Sequence, residues 1–189
     1  VLTALQDSWS LVRKQADIIL LFDVSGSMEE DNKLEQAKAA AQVFLDNIES
    51  NNRVALYVFS EEVHEVVPLD RFEINQSVIR SAISDLEPLY GTELYLAIET
   101  VTEAANTLTD ESRIRAVILL SDGEDTGESG TTLNDALAAI NASRDSVNPV
   151  IVIPLAYGSN ADTRTLMSIA RNSATQMIFG DPANITEVL

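Results

Sequence analysis

The stretch ADIILLFDVSGSMEE, residues 16–30, decides the fold. From Ala16 to Phe22 it is almost continuously apolar, whereas a strand with one face in water alternates apolar and polar side chains. The run therefore predicts a central strand covered by helices on both faces. It passes directly into Asp23, Ser25 and Ser27, with Gly26 between the two serines. Two readings compete for these oxygen-bearing residues. They cap a turn and a helix for backbone reasons alone, or they aim at one point.

Outward from this stretch, apolar runs of strand length alternate with longer segments of helical period, the signature of βα units around a mostly parallel sheet. RAVILLS, from Arg115, is a second continuously apolar run and predicts another central strand. RVALYVF from Arg53, PVIVIPLAY from Pro149 and a weaker TQMIF supply three more. EEVHEVVPL mixes charge with β-branched residues and ends at Pro68, so it reads as a short edge strand paired with its predecessor across a tight turn at Ser60 to Glu62. Leu34, Ala37, Ala41, Leu45 and Ile48 form one helical stripe over about residues 33–49, with Glu29, Glu30 and Asp31 as an acidic first turn complementing the helix dipole. Asn75 can cap a helix reaching about Leu86. Further helical stripes are Leu94 to Leu108, Leu133 to Ile140 and about residues 162–172. Residues 1–15 stand apart, because Leu5, Trp9 and Val12 share a face of a short helix ahead of a domain spanning 16–189.

The 189 residues, 46% hydrophobic, are enough for one globular domain with a substantial core. Twelve Lys and Arg against 30 Asp and Glu give a formal net charge of −18, which repels phosphate backbones and anionic lipid and excludes nucleic acid as a partner. The absence of cysteine excludes disulfides, thiol catalysis and sulfur-ligated zinc. No run reaches the roughly 18 apolar residues of a membrane span, so this segment is not membrane-inserted. A chain opening at Val1 rather than Met is expected to be a piece of something longer.

In an open parallel sheet, ligands bind at the carboxyl ends of the strands beside the reversal of winding. If ADIILLF and RAVILLS are neighbours, the loops after them bring Asp23, Ser25, Ser27 and Asp122 to one crevice, and YGTEL delivers Thr92 to the same edge. Two carboxylates and three hydroxyls suit a hard cation such as magnesium, which takes oxygen ligands and retains water. The serines face one ion only if the backbone turns sharply between them, which Gly26 permits.

These motifs resemble a von Willebrand factor type A domain and its metal ion-dependent adhesion site. That site reads Asp-x-Ser-x-Ser, then a distant Thr, then a distant Asp usually followed by Gly. Asp23, Ser25 and Ser27 in DVSGS, Thr92 in GTEL and Asp122 in LLSDGED match all five positions, in order and after the expected strands. The resemblance implies a three-layer doubly wound, Rossmann-like α/β fold with strand order 3-2-1-4-5-6 and one antiparallel edge strand. It also implies ligation of magnesium or manganese, with calcium a further candidate, by the serines and the threonine, the aspartates often acting through water. A partner protein or peptide then supplies an Asp or Glu carboxylate to the ion. The expected function is non-enzymatic, cation-dependent protein binding, with Met28, Glu29, Gly91, Glu93, Glu124 and Asp125 in the surrounding partner-binding loops. DVSGSM and SDGEDT look like bacterial members, which implies an extracytoplasmic, membrane-anchored parent. The alternative is a cytoplasmic adaptor working with an AAA+ ATPase in metal or cofactor insertion.

Other readings are weaker. Haloacid dehalogenase phosphatases also place Asp after their first strand, but they need a second Asp two residues on, where this chain has Ser25. The loop DGEDTGESG resembles half of a calcium loop without the full EF-hand spacing. His64 lacks a second histidine or cysteine as co-ligand, and no Ser-His-Asp triad is supported. Asn75, Asn141 and Asn184 begin N-x-Ser/Thr triplets, which matter only in a glycosylating pathway.

Overall fold

The computed structural model describes residues 14–144 and 146–180. Among them, six strands form one sheet: β1 (Ala16–Asp23), β2 (Arg53–Phe59), β3 (Val63–Arg71), β4 (Ile114–Ser121), β5 (Val150–Ala156) and β6 (Ile178–Phe179). Five α-helices accompany them: α1 (Lys33–Asn47), α2 (Phe72–Ser84), α3 (Leu94–Asn106), α4 (Leu133–Ala142) and α5 (Thr163–Asn172). The strand order is β3-β2-β1-β4-β5-β6, as expected. Every neighbouring pair is parallel except β2 with β3, which is antiparallel at the edge.

The continuous apolarity of β1 follows from its place between β2 and β4, with both faces covered. Ile18, Leu20 and Phe22 pack on one side with Leu34, Phe44 and Leu45 of α1 and Ile79 of α2. Ile19 and Leu21 pack on the other with Leu94, Ile98 and Val101 of α3, Ile140 of α4 and Leu166 of α5. Pro68 sits in the edge strand β3, where its missing N–H costs least. At the far end of β1, Asp17 accepts from Arg53 Nε at 2.7 Å and from Arg113 Nε at 2.5 Å, tying three segments together.

Two local expectations are corrected. Glu29, Glu30 and Asp31 are not the first turn of α1; they lie in a separate 3-10 segment, Gly26–Asn32, broken where Asp31 and Asn32 turn left-handed at φ 50° and 60°. Nor does Asn75 cap a helix. α2 begins at Phe72, and the buried Asn75 amide donates to the Val54 carbonyl at 2.8 Å, so tertiary bonding claims it. That bond also makes Asn75 inaccessible, and Asn141 donates to Asn172 Oδ1 at 3.0 Å. The leading helix with Leu5, Trp9 and Val12, and the Asn184 triplet, lie outside the described residues.

Candidate functional site

β1 and β4 end side by side, and their last residues begin the polar cluster. Asp23, the final residue of β1, is fully buried. Its Oδ1 accepts the Ser25 N–H at 2.9 Å, and its Oδ2 accepts the Ser121 hydroxyl at 2.6 Å. Burial pushes the Asp23 carboxyl up to about 7; hydrogen bonds from Ser121 and Ser25 only partly offset this, and the Asp122 charge adds to it. No cation pairs with it among the described residues.

Ser25 precedes the 3-10 segment in an extended conformation, yet its side chain makes no capping bond. Instead its hydroxyl lies 3.1 Å from that of Ser27. The Ser25 hydroxyl therefore does not cap the segment, whereas Asp23 does serve the turn, its Oδ1 accepting the N–H two residues on. Ser25 is buried and Ser27 half-buried.

Asp122 follows β4 and is also buried. Its Oδ2 accepts from the ammonium of Lys33 at 2.9 Å, a pair with side chains 1% and 0% exposed. Its backbone carbonyl accepts the N–H of Asp162, which caps α5, at 2.7 Å. Thr92 is buried on the loop before α3. Backbone bonds lock that loop onto the neighbouring strand ends: Leu89 N–H to the Val24 carbonyl at 2.6 Å, Glu93 N–H to Ser60 at 2.7 Å and Thr126 N–H to Thr92 at 2.9 Å.

The residues named for the surrounding loops divide by exposure. Glu29 and Glu124 are exposed, whereas Met28 is wholly buried in the core and faces no partner. Gly91 turns left-handed at φ 74°. Glu93 points inward, accepting the Glu128 and Ser129 N–H groups at 2.6 and 2.8 Å and the Ser129 hydroxyl at 2.6 Å. A Cβ on Gly127 would lie 2.1 Å from the Glu93 carboxyl carbon, so glycine permits this latch. Asp125 accepts the Tyr95 N–H at 3.1 Å at the start of α3, and burial raises its carboxyl above the ordinary value. Asp125 thus serves as a cap partner and Glu93, from the loop before α3, as the latch, while Glu124 stays exposed. Beside them, Leu89 and Tyr90 are the apolar side chains the loops expose, Tyr90 at 89%.

Lys33 and Ser121 were not singled out by sequence reasoning. Lys33 carried one signal: a cation at the first residue of a helix opposes the helix dipole and needs another reason to be there. Ser121 carried none, being one polar residue closing an apolar strand.

The candidate donors are hard oxygen throughout, two carboxylates and three hydroxyls, a chemistry that fits magnesium or manganese; the Ser25 and Ser27 hydroxyls meet each other, and Thr92 is buried on the loop before α3. Among the described residues no three His, Cys, Asp or Glu gather to hold a metal, so an ion here depends on the hydroxyls. The buried Asp23, without a cationic partner, is the feature that most needs one. An apolar cavity of about 330 Å³ opens elsewhere, at the starting ends of β1 and β4 between Ala16, Ile18, Ile114 and Ile118.

The profile of the von Willebrand factor type A domain matches residues 17–187. No curated protein matches the chain. Among solved structures, a von Willebrand factor type A protein from Catenulispora acidiphila is 23% identical with a TM-score of 0.75, covering 92% of this chain and 41% of its own. An aerotolerance-related membrane protein from Bacteroides fragilis, carrying multiple mutations to serines, is 21% identical with a TM-score of 0.71, covering 92% and 95%. Proximal thread matrix protein 1 from the mussel byssus, with a zinc-occupied metal ion-dependent adhesion motif, is 22% identical with a TM-score of 0.67, covering 93% and 46%.

Proposed function

We propose that this chain, which belongs to the von Willebrand factor type A family, binds a partner protein through a divalent cation held by Asp23, Ser25, Ser27, Thr92 and Asp122. Domains of this family are typically metal-dependent interaction modules and are generally non-catalytic. The observation that carries the reading is a buried, cation-less Asp23 beside the Ser25 and Ser27 hydroxyls, which meet each other, Ser25 making no capping bond. The zinc-occupied site of the mussel protein supports metal binding by a chain of the same fold.

Ser25, Ser27 and Thr92 would hold magnesium or manganese directly, while Asp23 and Asp122 neutralise it from their buried positions. The bound ion supplies an electrophilic position for a carboxylate from Asp or Glu on the partner. Ser121 keeps Asp23 oriented, and the Glu93 latch keeps the loop after β4 packed against α3. Exposed Leu89, Tyr90, Glu29 and Glu124 surround this edge and would select the partner. A strongly acidic surface repels acidic partners except where the metal compensates, which favours aligned docking.

Among the described residues no helix is long and apolar enough to cross a membrane. The likeness to the Bacteroides membrane protein supports a membrane-associated parent for this domain; its extracytoplasmic placement rests on the resemblance of DVSGSM and SDGEDT to bacterial members.

Calorimetry tests the centre. Magnesium or manganese should bind the wild-type domain and not Ser27→Ala, a half-buried site where loss of one hydroxyl leaves the circular dichroism spectrum unchanged. Equal binding by both proteins overturns the ligand assignment. Partner capture that is insensitive to EDTA overturns the metal bridge.

A further inference from the structure

We infer that Lys33 is a built-in counter-ion of this centre, which keeps its affinity for a bare cation low and couples retention of the ion to arrival of an anionic ligand. The inference rests on the metal-binding reading above. It starts from an unusual expense of local structure around one ammonium group.

Lys33 is the first residue of α1, where the helix dipole disfavours a positive charge. The two residues before it, Asp31 and Asn32, both adopt left-handed backbone at φ 50° and 60°, a conformation uncommon outside glycine, though Asp and Asn tolerate it best. On the other side, Gly158 has φ 86°, and a Cβ there would stand 2.4 Å from Lys33 Cε. Three unfavourable or restrictive features therefore converge to bring the side chain into the interior. There it is 0% exposed and its Nζ meets Asp122 Oδ2 at 2.9 Å. No surface role explains a lysine with no surface.

The charges explain it. Asp23 ends β1 and Asp122 follows β4, its neighbour in the sheet, and both are buried. Two neighbouring buried carboxylates without a cation are costly, so the ammonium lets the fold stand with no metal bound. By formal charges, with both aspartates in the ionised state that meets a cation, Asp23, Asp122 and Lys33 sum to about one net negative charge. A divalent ion takes it to about one positive, and a ligand carboxylate then takes it to zero. Without Lys33, the ion alone would neutralise the cluster and the carboxylate would leave it negative. Lys33 thus opposes the bare ion and favours the ion together with an anion, a coupling that is reciprocal by thermodynamic necessity.

The test is titration of Mn²⁺ by calorimetry into wild type, Lys33→Met and Lys33→Gln, each with and without acetate as the carboxylate probe. Met removes both charge and hydrogen bond, while Gln keeps a donor for Asp122 and preserves the test should Met fail to fold. Removing one unit charge this close to a divalent ion should tighten Mn²⁺ binding about tenfold or more in either variant. Acetate should tighten Mn²⁺ binding to wild type and do so less in the variants. A lysine with only a packing role predicts the opposite, weaker ion binding on replacement. Affinity for Mn²⁺ equal to or weaker than wild type in the folded variants overturns the inference and leaves the metal centre standing. Absence of Mn²⁺ binding in all three proteins overturns both.

Discussion

The Ser121 hydroxyl donates to Asp23 Oδ2 at 2.6 Å, joining the final residues of β1 and β4. The Ser121 hydroxyl oxygen in turn accepts the Gly123 N–H at 2.9 Å. One hydroxyl therefore orients the acid at the end of one strand and starts the loop that carries Asp122 at the end of the next. The two aspartates, 99 positions apart in the chain, share their geometry through it.

Asp23→Asn should separate stability from ion binding. The folded-state pKa of about 7 lies above the ordinary 3.8, so the metal-free protein holds a proton that the unfolded chain has lost across that window. The raised pKa means the burial penalty is absent below the lower value and grows as pH rises, by up to about 1.4 kcal/mol per unit, until ionisation is complete in both states. Asn removes the charge and the penalty. Melting of the metal-free variant should exceed wild type at pH 8 and match it near pH 4, while Mn²⁺ binding is lost. A variant that melts below wild type at pH 8 contradicts this.

Glu93→Ala should free the loop after β4. Three bonds from Ser129 and Glu128 hold that loop to the start of α3, and their loss is expected to cost about 1–3 kcal/mol. Hydrogen exchange at the Glu128 and Ser129 amides should accelerate, while amides in β1 and β4 stay protected. Unchanged exchange in the loop would show that Glu93 is not its latch.

Asp17→Ala should weaken the fold and spare the ion. Asp17 and Arg113 are buried and Arg53 half-buried at the starting end of β1; removing the carboxylate takes the charged partner from both, although Arg113 keeps its bonds to Gln15 and to the Ala16 and Asn51 carbonyls, for a cost of about 3 kcal/mol. Denaturant unfolding measures the loss. The Mn²⁺ affinity of the folded fraction should equal that of wild type, because the site lies at the other end of the strand.

Asp162→Ala should destabilise α5 by about 1 kcal/mol by removing an N-cap that accepts the Arg164 and Thr165 amides. Burial alone would raise the Asp162 carboxyl. The Thr165 hydroxyl, the two amides and the Arg164 charge outweigh it and hold the carboxyl below 3.8. For a depressed acid the contribution is present above the unfolded value and is lost as pH falls through the folded one. The gap in melting temperature between wild type and variant should therefore hold at neutral pH and close in strong acid.

The sheet was legible in the chain because burial on both faces writes itself as unbroken apolar runs, in ADIILLF and RAVILLS above all. RVALYVF coincides with β2 to the residue, and the charged, proline-bearing segment after it is the antiparallel edge. Asn75 reads as a cap because its residue type favours caps, and type says nothing of the Val54 carbonyl that its amide finds across the fold. Met28 reads as loop from its position directly after DVSGS, and only the packed structure shows it at 0% exposure.

Local sequence thus determined the strands, their central or edge position and the oxygen-bearing residues at their ends, because hydrophobic period and motif spacing are properties of neighbouring residues. Tertiary structure alone decided what surrounds each charge. Asp23 is left without a cation, Asp122 receives the ammonium of a lysine 89 positions earlier, and Glu93 turns inward to hold a loop. Those outcomes depend on which strand ends become neighbours and how far water is excluded between them, and both are set only when the sheet and its two helical layers close.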